Sequence, residues 1–414
     1  MENSKKNNID LKNEKNRIEN REIIITSGFE GGNGINFKSY GDDIYSFSPL
    51  RDPGEFYSGQ AYFFKFSVEN KLIREDDTKN ITVTAIADFD ELWKGWTYQQ
   101  NPKLWVYHGK NKTQLNPKFV KTTPKTMGIN LEILPQEKFC VSNMLAVPYS
   151  EMVEILEDIQ LRFPTLTTLS KIGNTPLNNS IYSLKVNPYE NNNVDENKIK
   201  ILFAGTAQPN EIGDFASILL LEEFLSKEPD FWDKIHQKLR IEFLFFQNAD
   251  GLILGKNMVN SSGENIFFGY KNNRDDMPDE NKVVWDHIKG NTPDIFFEWH
   301  SFFQDNKSIR PYLYTTDLLK SKSFRKLYDK IAKSLISYSN GAKEVINLNQ
   351  KYFSDTLAYR LQEKFNSLAF QFKLHNGLKI KDLKKIIWDI FLRLFKIINK
   401  NANKIKIEKE INRL

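Results

Sequence analysis

Between Ile23 and about Val147, apolar and polar residues alternate in short runs: "EIIITS", "DIYSFS", "YFFKFSV", "NITVTAIADF", "KLWVYHG" and "GINLEIL". Clusters of Gly, Asn, Asp and Pro separate them. Period-two alternation in closely spaced runs predicts half-buried strands and, together, an antiparallel β-sandwich. The pattern changes at "LAVPYSEM". "SEMVEILEDIQLRF" has helical spacing, with Ser150 as its expected N-cap. "SIYSLKV", "KIKILFAG", "LRIEFLFFQ", "DIFFEWHSF" and "SLAFQFKLH" read as strands, several almost continuously apolar, as buried central strands are. "EIGDFASILLLEEFLS" reads as a helix between two of them. Such alternation predicts an α/β domain with a parallel or mixed sheet, whose ligands sit beyond the carboxyl ends of the strands. The expected layout is a disordered tail over 1–22, the sandwich over 23–147, the α/β domain over 148–376 and a basic amphipathic helical tail over 377–414.

The chain has 414 residues, 40% of them hydrophobic and 31 of them Phe, enough for two cores. A net charge of +5 is mild and gives no reason to expect nucleic acid. Cys140 is the only cysteine, which excludes an intramolecular disulfide and any Cys-rich zinc module. The first residues are polar and lack the apolar stretch of a signal peptide. The densest apolar run, "IIWDIFLRLFKII", carries Asp389, Arg393 and Lys396 and is too short and too charged to span a bilayer. A cytoplasmic protein is the expectation. The basic tail is expected to pack on the domain, on a partner protein, or on a membrane surface.

The stretch "GTAQPNEIGDFAS", Gly205–Ser217, bears on chemistry. Zinc takes His nitrogen and carboxylate oxygen, and an open catalytic site needs three protein ligands. Glu211 on a first helical turn and His300 near the end of a strand supply two. Gln208 stands where a third would be, and a neutral amide oxygen is a poor zinc ligand. Glu298, two residues before His300, faces the same side and could orient its ring. On spacing alone, Glu211 reads equally as a carboxylate favoured by the helix dipole, and His300 as a buried structural histidine.

The order of segments adds a resemblance. From Tyr149 to His375 the chain resembles the zinc metallocarboxypeptidases of the carboxypeptidase A type. "ILFAGTAQPNEIGDFASILLLEEFL" is similar to their strand, His-x-x-Glu loop and helix. "NADGLILGKNMVNSSGENIFFGY" is similar to their "NPDG…R-x-N…NLNR" segment, "DIFFEWHSFF" to the strand of the third ligand, and "SLAFQFKLH" to the "FTFEL" strand. "GFEGGNG", "SFSPLRDPG" and "YFFKFSV" resemble the sandwich that precedes the catalytic domain in the cytosolic carboxypeptidase branch. The resemblance implies a zinc-bound water that attacks a peptide carbonyl, a Glu base, an oxyanion Arg and an Asn-Arg clamp on the terminal carboxylate. Carried onto this chain, Glu211 and His300 match zinc ligands and Gln208 replaces the other His. Met258 replaces the oxyanion Arg. Phe267 and Phe268 replace the clamp. Lys373 replaces the base, with Gln371 as the alternative register.

A lysine at the base position would repel a dication by on the order of several kcal/mol. An ion pair of Lys373 with Glu211, filling the metal position, is the expectation. The losses point to a degenerate peptidase, without an intact catalytic set, whose cleft binds a peptide or a protein C-terminus. Zinc, implied by the family, then has a poor donor set. Two other readings stand beside this one. The first is an active metallocarboxypeptidase with ligands rearranged onto His375 or Asp214. The second is a binding module for sugar or peptide built on the sandwich.

Overall fold

The computed structural model describes residues 16–41, 43–54, 61–86, 103–123, 125–186, 198–205, 207–302, 308–341, 343–345 and 353–413. The chain divides into two compact units, Met1–Ala146 with Leu252–Asn257, and Val147–Gly251 with Met258–Leu414. A purely linear boundary therefore does not describe the chain, because Leu252–Asn257 returns to the first unit. Within that unit the Asn257 N–H donates to Asp52, and the Tyr62 hydroxyl donates to the Asn257 carbonyl at 2.6 Å.

The first unit is two sheets face to face. One has the order β1 (Arg17–Glu19), β2 (Ile23–Thr26), β5 (Lys65–Asn70), β11 (Lys138–Ser142), β7 (Trp105–His108) and β8 (Asn111–Gln114). The other runs β3 (Ile35–Ser39), β4 (Ile44–Ser48), β6 (Lys79–Ile86), β10 (Thr126–Ile133) and β9 (Val120–Thr122). Alternate residues of both sheets, among them Ile25, Phe47, Phe66, Val83, Ile129 and Val141, form one core. Pairing is antiparallel except between β4 and β6, which run parallel. The tail expected to be disordered through residue 22 is in part a strand: Arg17–Glu19 pairs with Ile24–Thr26. Its backbone completes the sheet edge, and Ile18, between two charged residues, packs against the core. Residues 1–15 of that expectation lie outside the described residues.

The second unit holds α1 (Tyr149–Arg162), β12 (Thr167–Asn174), β13 (Ser180–Val186), β14 (Ile199–Ala204), α2 (Gly213–Leu225), α3 (Pro229–His236) and β15 (Leu239–Phe245). After α4 (Ala249–Ile253), which leads into the returning segment, follow α5 (Asp279–Gly290), β16 (Ile295–Phe302), β17 (Ile309–Leu313), α6 (Lys322–Tyr338), β18 (Glu344–Val345), α7 (Leu357–Phe365), β19 (Leu368–His375) and α8 (Ile380–Arg413). The mixed sheet has the order β12-β13-β15-β14-β16-β19-β17-β18. Its centre, β15-β14-β16-β19, is parallel, so four carboxyl ends meet at one edge. β16 is buried along its whole length. Ser150 is not the N-cap of α1; Pro148 holds that position, with its fixed φ of −57° and no side-chain cap.

Helix α2 is apolar on almost every side, and such a helix must be covered all round. The sheet covers one side and α8 another. Leu383, Ile387, Ile390, Phe391, Leu394, Ile398, Ala402 and Ile405 recur along one face of α8 and are all buried. Lys384 pairs with Glu223 of α2 at 3.1 Å, and the Tyr338 hydroxyl of α6 donates to Asp389 at 3.1 Å. The basic tail thus spends its apolar face inside the unit. Among the described residues no helix is long and apolar enough to cross a membrane.

Gly205 follows β14 directly, and a Cβ there would lie 1.9 Å from Asp214 Oδ1. The missing side chain lets the first turn of α2 close onto the strand end. Asp214 accepts from the Phe246 N–H at 3.0 Å. Burial lifts its carboxyl to about 7, against the Phe246 N–H and with help from the Glu298 charge.

Two outcomes follow from this packing. Ile390→Ala is expected to cost about 2–5 kcal/mol in denaturant unfolding, as for a buried core residue; a cost near zero would mean that α8 is not part of the core. Asp214 keeps a proton in the folded state that the unfolded chain releases. Its contribution is therefore full below about pH 4 and lost as pH rises through about 7. Asp214→Asn keeps the acceptor without the charge, so its stability relative to the parent should rise between pH 4 and pH 8.

Candidate active site

The site lies at the carboxyl edge of the parallel strands. The chain leaves β14, turns through Asn210 in the left-handed region (φ 64°) and enters α2 at Gly213. Gln208 and Glu211 therefore sit in the loop before the helix, not on its first turn. The helix waits for Gly213 because Asn210 reverses the backbone first. The Ile212 N–H donates to Ser301 Oγ at 3.0 Å, and Glu211 Oε2 accepts from the Ser301 N–H at 2.7 Å. These two bonds fix the loop against the end of β16.

His300 is the centre of the cluster. Its Nδ1 donates to Gln208 Oε1 at 2.9 Å and to Glu211 Oε2 at 3.2 Å. Both partners are acceptors, so Nδ1 carries the proton. On the opposite side Nε2 lies 3.2 Å from Glu298 Oε2, an ion-pair contact. Burial opposes a charge on His300, but Glu298 and then Glu211 outweigh it and raise its pKa to about 9. Phe267 meets the imidazole edge to face at 4.9 Å, and Phe268 packs at 4.7 Å on Phe267 and at 5.6 Å on Phe353.

Glu298 is held from below by amides. Gln371 Nε2 donates to its Oε2 at 2.6 Å and Gln247 Nε2 to its Oε1 at 3.3 Å. The Tyr270 hydroxyl donates to Gln247 Oε1 at 2.8 Å, and the Tyr314 hydroxyl to Gln371 Oε1 at 3.0 Å. Gln247 and Tyr314 stood in no motif of the sequence, and Tyr270 only closed the "GENIFFGY" segment; strand register and burial bring all three here.

The structure brings Gln208, Glu211, His300, Met258 and Phe267 together. Gln208 Nε2 donates to Met258 Sδ at 3.0 Å, which aims its oxygen at His300. It does not bring Lys373 to Glu211. Lys373 is in register with His300 on the neighbouring strand, but its ammonium lies 4.4 Å over the Tyr312 ring. The His300 proton already satisfies Glu211, so the lysine turns to an aromatic face instead. His375 accepts from the Gly377 N–H at 2.9 Å and packs on Phe302, and Asp214 faces Phe246. Neither reaches the Nδ1 side of His300 in these contacts.

The donor set does not fit a resident zinc. Glu211 and His300 are the proper donors at the convergence point, and the other oxygen there belongs to an amide. Glu298 lies on the far nitrogen of His300 and cannot join Glu211 on one ion. Among the described residues no three His, Cys, Asp or Glu side chains are grouped to hold a metal.

Residues 152–278 match the zinc carboxypeptidase family. No curated protein sequence matches the chain. A metallo-carboxypeptidase from Burkholderia cenocepacia shares the fold with a TM-score of 0.73 at 14% identity, over 91% of this chain and 99% of that one. The metallo-carboxypeptidase from Pseudomonas aeruginosa, solved with (2-guanidinoethylmercapto)succinic acid, gives 0.72 at 12% identity, over 91% and 99%. Those likenesses carry the fold across both units, and the family match falls on the segment that includes the Gln208–Glu211 loop. In fold the chain is similar to these metallo-carboxypeptidases, and over residues 152–278 its sequence matches the zinc carboxypeptidase family.

Proposed function

We propose that the second unit is a degenerate carboxypeptidase. It holds no resident zinc, does not hydrolyse peptides, and keeps its cleft for binding a peptide or a partner protein. The observation that carries this reading is the donor set that faces His300 Nδ1. It is the Gln208 amide oxygen at 2.9 Å and Glu211 Oε2 at 3.2 Å, one carboxylate and a poor zinc ligand where a second imidazole would be needed. The family implies zinc, whose role when bound is to activate a water and polarise the carbonyl.

The rest of the pocket supports the same reading. A general base must stand within reach of the reacting water, and Lys373 turns instead onto the Tyr312 ring. Met258 offers sulfur where a guanidinium would stabilise an oxyanion, and it accepts from Gln208 instead of donating to substrate. Phe267 and Phe268 present ring edges and faces where a terminal carboxylate would need donors.

The purified protein, dialysed against equimolar zinc, is expected to retain well below one zinc per chain by elemental analysis. Chelator should leave its thermal midpoint unchanged. His300→Ala is expected to lower stability by about 3–5 kcal/mol, because two buried carboxylates lose their shared counter-charge. Gln208→His restores a second imidazole and is expected to raise zinc retention above that of the parent. Stoichiometric zinc in the parent, or release of a C-terminal residue from peptides that His300→Ala abolishes, would overturn the proposal.

A further inference from the structure

Helices α6 and α8 lie side by side on one face of the mixed sheet. Phe203, Phe297 and Phe370, from β14, β16 and β19, stack across that face at 5.5 and 5.4 Å. Phe391 of α8 packs on Phe203 at 6.2 Å, and Tyr328 of α6 on Phe370 at 4.5 Å. The Tyr338 hydroxyl on Asp389, and Arg393 at 4.6 Å over the Tyr338 ring, join the two helices. Each turns its apolar stripe toward the sheet, so their opposite sides form one outer surface.

That surface is basic. α6 exposes Lys322, Arg325, Lys326, Lys330 and Lys333 against one acid, Asp329. α8 exposes Lys381, Lys385, Lys396 and Lys400 along a stripe of about 28 Å, with Asp382 near its start. In sequence the two helices carry a formal charge of +10, whereas the whole chain has +5. The remainder is therefore net acidic, and cations gathered on one side of such a chain point to a polyanionic partner. Lys384, turned toward α2, is neutralised by Glu223. Among the described residues no carboxylate is in ion-pair contact with Lys385, Lys396 or Lys400.

We propose that this face docks on an anionic bilayer surface, with its lysines among the headgroups and Leu392 between them. Leu392, 38% exposed, stands on the α8 stripe between Lys385 and Lys396. An apolar side chain amid cations is what an interfacial helix offers. A nucleic acid is the competing polyanion. It favours Arg, whose planar fork grips phosphate oxygens two at a time. Here both arginines are turned to the protein: Arg325 Nε donates to the Leu319 carbonyl at 2.8 Å, and Arg393 covers Tyr338. Lysine is a point charge on a flexible stem and suits a diffuse, fluid layer of charge.

The test is co-sedimentation of the full-length protein with vesicles of phosphatidylcholine, alone or with about one-quarter phosphatidylserine. Binding is expected only to the anionic vesicles in about 0.1 M salt. It should be lost in about 1 M salt, where the Debye length falls to about 3 Å. Lys385→Gln, Lys396→Gln and Lys400→Gln together should weaken partitioning on the order of a hundredfold, about fivefold per lysine, with the thermal midpoint unchanged. Leu392→Ser should weaken it by about threefold. Three exposed sandwich lysines, Lys118, Lys121 and Lys125, changed to Gln in the same way, should leave it within about twofold. The proposal fails if the anionic vesicles do not bind, or if the sandwich variant loses as much as the α8 variant. It fails equally if an oligonucleotide binds more tightly than the vesicles at the same salt and the α8 variant abolishes that.

Discussion

The second unit depends on one buried cation between two buried carboxylates. His300, Glu211 and Glu298 are nearly sealed from water, and an unpaired charge in such a place would cost several kcal/mol. Each carboxylate is therefore answered by more than the imidazole. Glu211 takes the Ser301 N–H, and Glu298 takes the amides of Gln247 and Gln371. Those amides bring in Tyr270 and Tyr314, and Tyr314 reaches Thr356, the N-cap of α7. A chain of satisfied polar groups thus runs from the loop after β14, across β16 and β19, to the start of a helix. It keeps the carboxyl ends of the parallel strands in register at the place where an α/β sheet presents its ligands.

On the proposed reading, the same cluster accounts for the pocket's departures from the family as a set. With an imidazole in place of Gln208, two rings and a carboxylate would face one another and would need a metal ion to hold them. With an amide there, a proton does so. Once the cation is a proton, a lysine at position 373 no longer meets a dication. It settles over Tyr312, while Met258 can serve as an acceptor for the Gln208 amide. Each residue is unsuited to zinc hydrolysis and suited to its present neighbour.

Much of this was legible along the chain, and the parts that were not have physical reasons. Strongly alternating runs such as Thr126–Ile133 and apolar runs such as Ile199–Ala204 announce themselves because burial fixes their side chains. Arg17–Glu19 does not, because three residues with a single apolar one, Ile18, are too short to show a period, and the edge strand is held largely by its backbone. The start of α2 was misplaced because the left-handed turn at Asn210 leaves little trace in one residue's identity. Gln208, Glu211 and His300 could be grouped from the order of segments. The direction of Lys373 could not, since four rotatable bonds let its ammonium reach either neighbour and only local competition decides. Gln247 is an ordinary polar residue until the register of β15, β14 and β16 carries it to Glu298.

The two units differ in how they treat polar side chains, and that difference bears on where recognition resides. In the second unit Glu298, Gln371 and Gln247 consume one another's hydrogen-bonding capacity, so the remnant centre is closed to new partners at its core. Any ligand of that cleft must be held by the surface around Phe267 and Phe268, through shape and apolar contact rather than charge. In the sandwich, by contrast, polar side chains such as Asn80, Asn116 and Glu132 stand exposed, where water can satisfy them, and the unit's core is left to apolar contact.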